Sequence, residues 1–145
     1  NLELVDFLLR NRANVRARTS WGDSALMLAA QKGHTAVIGR LVEGGAELNP
    51  KDKGWSAILY AVMEGHAETV GLLLDKGADP NSRAPSRLTP LMLAARGGHL
   101  GIVRLLLARG ADPNLANDRG DTALKWAQAA GNTDIAAALK AAGAK

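Results

Sequence analysis

The chain has no cysteine among its 145 residues, which excludes disulfides, thiolate metal sites and cysteine nucleophiles together. Aromatic residues are scarce at 3%. A core must therefore be assembled from Leu, Ala, Val and Ile, a palette that favours helices over sheets. No apolar run approaches the roughly 20 residues that a membrane-spanning helix needs. Residues 1–10 also lack the order of basic, apolar and small residues that marks a signal peptide. A cytoplasmic protein with no membrane insertion is expected. The formal net charge is only +4, with no block of like charges. That mild excess points toward an acidic partner and says nothing of fold.

What is present is periodic. The pair Gly-His recurs at Gly33-His34, Gly65-His66 and Gly98-His99, with a degraded copy at Gly131-Asn132, at spacings of 32 and then 33 residues. A second signal, Gly-Ala followed by Asn, recurs at Gly45, Gly77 and Gly110 with Asn49, Asn81 and Asn114. Between the two signals run apolar segments with helical spacing, as in Val70, Leu73 and Leu74. Each period reads as helix, turn, helix and extended loop. Thr89-Pro90 marks a helix start: Thr caps an orphan N–H, and Pro at the first helical position needs no donor. Ser24, Ser56 and Thr122 hold the same cap position. The glycines stop the helices, where a left-handed residue is wanted. Neither helix can bury its apolar stripe within one period, so copies must stack side by side.

These residues resemble the ankyrin repeat, whose signature runs Gly-x-Thr-Pro-Leu-His-x-Ala-Ala-x-x-Gly-His, then an Ile-Val-x-Leu-Leu-Leu helix and Gly-Ala-Asp-x-Asn. The best match spans Thr89 to His99. The resemblance implies an all-α solenoid of stacked helix-turn-helix units with extended, β-hairpin-like loops, forming one domain over residues 1–145. A partial repeat is expected at 1–17, full repeats at 18–49, 50–81 and 82–114, and a C-terminal capping repeat at 115–145. Residues 1–10 read as a second helix without its partner, with the parent chain expected to continue upstream. Arg12 stands where glycine usually stops that helix, and Arg87 replaces the loop glycine found at Gly22, Gly54 and Gly120, so an altered loop tip is expected there. The Ala-rich segment from Ala136 to Ala142 suits an outer face with no successor.

No nucleophilic serine elbow, phosphate-binding glycine loop or paired zinc ligands are present in the sequence. Equivalent histidines one repeat apart stand roughly 8–10 Å from each other by ordinary helix packing, too far to share a metal that needs ligands within about 2.1 Å. His34, His66 and His99 are therefore expected to fasten the turn between the two helices of their own repeat. No catalytic, cofactor or metal residue is assigned, and the chain is not expected to be an enzyme.

The resemblance implies instead a protein-binding module, expected as a monomer, whose groove combines loops with the exposed side of the first helices. Carried onto this sequence, that surface holds Trp21, Asp23, Lys32, Lys53, Trp55, Met63, Glu64, Arg87, Leu88, Arg96, Arg119 and Asp121. Trp21, Trp55, Arg87 and Arg96 are the expected anchors, because Trp and Arg are enriched among interface hot spots. Tyr60 and Trp126 are read as packing residues within the first helices. Loop cations such as Arg18, Lys51, Arg83 and Arg119 raise binding of nucleic acid or of an acidic ligand as an alternative. Nucleic acid is disfavoured by interleaved Asp23, Asp52, Asp118 and Asp121 and by the lack of an aromatic stacking pattern. A regulatory or targeting role within a larger enzyme or effector is the other alternative.

Overall fold

The computed structural model describes residues 1–52 and 54–145; Lys53 lies outside the described residues. Among them are nine α-helices and no β-strands: α1 (Leu2–Arg10), α2 (Ala25–Gln31), α3 (Thr35–Glu43), α4 (Ala57–Met63), α5 (Ala67–Asp75), α6 (Pro90–Gly97), α7 (Leu100–Ala108), α8 (Ala123–Ala129) and α9 (Thr133–Ala141). Helices pair as α2/α3, α4/α5, α6/α7 and α8/α9, while α1 packs on α3. The short helices α2, α4, α6 and α8 form an inner row, each against the next, and α1, α3, α5, α7 and α9 form an outer row.

The starts and stops follow local chemistry. Thr89 Oγ1 accepts from Met92 N at 3.3 Å and Thr122 Oγ1 from Lys125 N at 3.4 Å. Ser24 Oγ accepts from Met27 N at 3.3 Å. Ser56 departs from the expected cap: its hydroxyl lies 2.8 Å from that of Ser82 in the next loop and caps nothing on α4. The hairpin-like loops close through repeated backbone bonds, Thr19 N to Asp23 O, Ala84 N to Leu88 O and Asn117 N to Asp121 O. Ladder pairing goes no further than one isolated bridge, Arg18 with Ser24.

The core runs the length of the stack. Leu26, Ala30, Ile38, Ile58, Ala61, Val62, Leu73, Leu91, Ala94, Leu106 and Leu139 are all fully or almost fully buried, and the inner-row alanines let neighbouring helices approach closely. At His66 the arrangement differs from the one expected. His66 reaches across to the preceding repeat, where the Gln31 carbonyl accepts from its Nε2 at 3.1 Å. Asn132 does the same to the Ala95 carbonyl at 2.8 Å. The turn glycine explains the pairing of Gly with His, because a Cβ on Gly65 would stand 2.7 Å from the His99 ring. Among the described residues no inner helix precedes α2, and His34 is exposed.

Candidate binding surface

The loops and the inner helices share one face, along which two hollows open. The smaller, about 340 Å³, is bounded by Leu88, Arg96, Arg119, Asp121 and Trp126. The Arg96 guanidinium stands 5.8 Å from the centre of the Trp126 ring, within the range where the ring's negative face attracts a cation. Asp121 beneath them forms an ion pair with Lys125. That hydrogen bond holds its carboxyl below the usual range against desolvation, the next largest effect, with lesser help from a bond to Trp126, the Lys125 charge and a bond to Asn117. The larger hollow, about 710 Å³, lies between the loops that precede α4 and α6.

Toward the N-terminal end, Trp55 and Tyr60 stack with ring centres 5.2 Å apart and planes tilted by 32°. The Tyr60 hydroxyl donates to Asp23 Oδ1 of the preceding loop at 2.8 Å. Burial first, then this bond and the Asp23 charge, push the Tyr60 pKa up to about 12.

The expected site residues therefore separate by environment. Trp21 is 88% exposed; Lys32, Met63, Glu64, Arg87, Arg96 and Arg119 are exposed as well. Trp55 and Leu88 are half-buried against the core. Asp23 and Asp121 are half-buried and already bonded, to Tyr60 and Lys125 respectively. Lys53 cannot be placed, because it lies outside the described residues. The two tryptophans are not equivalent: Trp21 precedes the loop glycine Gly22, whereas Trp55 follows Gly54 and so turns inward beside α4. Arg18, counted among the loop cations, is held by Glu47 at 3.5 Å and Asp52 at 3.1 Å, which weakens the basic strip a nucleic acid would need.

Tyr60 and Trp126, read from the sequence as packing residues, do pack against the core, and each is half-buried with part of its ring left to this face. A signal was available. Leu28, Tyr60, Leu93 and Trp126 occupy one position of the period, and Leu28, lacking an earlier inner helix to cover it, is 43% exposed. Leu93 at the same position is buried, so an aromatic there packs on the core while part of its larger ring stays open.

Comparison with known families covers residues 1–127. A family model described as ankyrin repeats (3 copies) matches residues 1–84, and a second, ankyrin repeats (many copies), matches residues 73–127. No curated protein matches the chain.

Proposed function

The chain belongs to the ankyrin-repeat family, whose members are generally protein–protein interaction modules, and on that premise we propose that it is a non-enzymatic module gripping a protein partner through its loop and inner-helix face. The observation that carries this reading is Trp21. At 88% exposure its indole does little for the protein's own core, and a large apolar ring held at a loop tip is what an interface anchor requires. Arg96 over Trp126 supplies a second anchor, cationic and aromatic together. Met63 and Leu28 add apolar surface between them.

The test is an alanine scan against a captured partner, with Trp21, Trp55, Arg87 and Arg96 replaced singly and Arg104 on α7 as the control. Hot-spot losses of about 2 kcal/mol, roughly thirtyfold in Kd, are expected at Trp21 and Arg96, with Arg104→Ala near neutral. Unchanged affinity in all four variants would remove this face from consideration.

A further inference from the structure

We propose that the larger hollow, between the loops before α4 and α6, is a carboxylate-binding subsite that takes an Asp or Glu side chain of the protein partner; this rests on the reading of the loop and inner-helix face as the docking surface. Its walls include Ser56, Ser82, Arg83 and Arg87, with Asp118 at the rim. Arg83 is the telling residue. Its Nη1 is sealed from solvent and has no hydrogen-bond partner, and a buried guanidinium N–H left unsatisfied is rare enough in folded proteins to demand a reason.

Among the described residues neither Arg83 nor Arg87 takes part in an ion pair. Of the three carboxylates in the walls, Asp52 is paired with Arg18 at 3.1 Å, whereas Asp79, whose Oδ1 accepts from Asn81 N at 2.8 Å, keeps its charge. Asp79 and Asp118, both exposed, balance the two unmatched guanidinium groups in charge, and what favours a carboxylate is the acceptor that Arg83 lacks. Ser56 and Ser82 add a donor, since in a hydroxyl pair one O–H bonds the other and the second stays free.

Backbone geometry points the same way. Arg87 adopts φ +59°, and Ser86 before it φ +62°. The equivalent loop positions Gly22 and Gly120 reach positive φ with glycine, which does so without strain. Two adjacent residues with side chains in the left-handed region are uncommon, and such outliers gather where a site needs a particular group presented. Here the group presented is the Arg87 guanidinium. Asp118 decides between monoanion and dianion, because its charge repels a phosphoryl group about twice as strongly as a carboxylate.

The experiment is an NMR titration of the intact chain with a tetraglutamate peptide blocked at both ends. Saturable amide shifts are expected at residues 82–88 and at Asp118. Arg83→Gln and Arg87→Gly should each weaken binding by about fivefold or more, as expected for loss of a charge-assisted fork, and Arg104→Gln should leave it unchanged. Arg87→Gly also guards against misfolding as an explanation, because glycine suits φ +59° and the variant should melt no lower than the parent. Binding unchanged in both arginine variants, or shifts spread evenly over all cationic side chains, would overturn the proposal. So would a matched phosphoserine peptide saturating the site more tightly than glutamate. Failure of the subsite is separable from failure of the docking face. If a captured partner is lost by Trp21→Ala and Arg96→Ala yet retained by both Arg83→Gln and Arg87→Gly, the subsite falls and the face stands.

Discussion

Tyr60 is the single tyrosine of the chain, so its ionisation can be followed by tyrosinate absorbance without interference from another phenol. The fold holds it neutral: burial penalises the phenolate, and donation to Asp23 is possible only while the hydroxyl keeps its proton. Its folded pKa of about 12 lies above the ordinary value near 10. The associated stability is therefore fully present below about pH 10 and is lost as the pH rises through the folded value. Absorbance of the native protein should show a midpoint near 12, and Tyr60→Phe should abolish the alkaline loss of stability in that window. Asp23→Asn should lower the midpoint part of the way, because burial, the larger cause, persists. A native midpoint near 10 would mean that the hydroxyl is open to solvent and that the link between Asp23 and Tyr60 is absent.

Among the elements, α1 differs most from the rest. None of its residues is buried, and Phe7 is 61% and Leu4 56% exposed. By contrast, Pro90 to Ala95 of α6 are all buried. It rests on α3 through Asp6 and Arg40 at 3.3 Å and through Leu9 against Gly44. Arg12 closes it at φ +60°, where the equivalent turns use glycine. Local opening is easiest where few apolar contacts must be broken, so amide hydrogens of α1 should exchange first and those of α4 and α6 last. Protection of α1 equal to that of α4 would contradict this. The helices themselves were legible in the sequence, since Thr-Pro starts and glycine stops act within a few residues of the chain. The sites were less legible because their partners lie one period away. The carbonyl that His66 meets belongs to Gln31, the hydroxyl that draws Ser56 from its cap belongs to Ser82, and the cation over Trp126 is Arg96. Periodicity announces that repeats touch; it does not say which side chain turns toward which neighbour.

For the whole molecule, the question is what makes a row of helix pairs unfold as a unit. In a stack where each repeat touches only its neighbours, cooperativity resides in the interfaces. Beyond apolar contact, the loop asparagines bridge these interfaces. Asn49 Nδ2 donates to Gly77 O at 2.9 Å while its Oδ1 accepts from Asp79 N at 2.8 Å, tying the turn after α3 to the turn after α5. Asn81 repeats the pair toward Gly110 and Asp112, and Asn114 toward Gly143 and Lys145. These clamps are exposed, so water replaces much of what is lost, and Asn49→Ala should cost about 1–2 kcal/mol. The larger effect should fall on coupling. Trp55 and Trp126 report on the part that follows the cut, while Trp21 is already exposed and changes little on unfolding. Urea denaturation of Asn49→Ala should therefore show helix loss by circular dichroism beginning before the fluorescence change, with a reduced m-value. If the two curves still coincide at an unchanged m, the coupling there resides in the packing of α2 on α4 and α3 on α5, and the asparagine only trims the loops. The clamp also bears on binding. Asn49 stands in the wall of the larger hollow, so a stack that loosens at this interface should lose affinity for an acidic peptide even with both arginines intact.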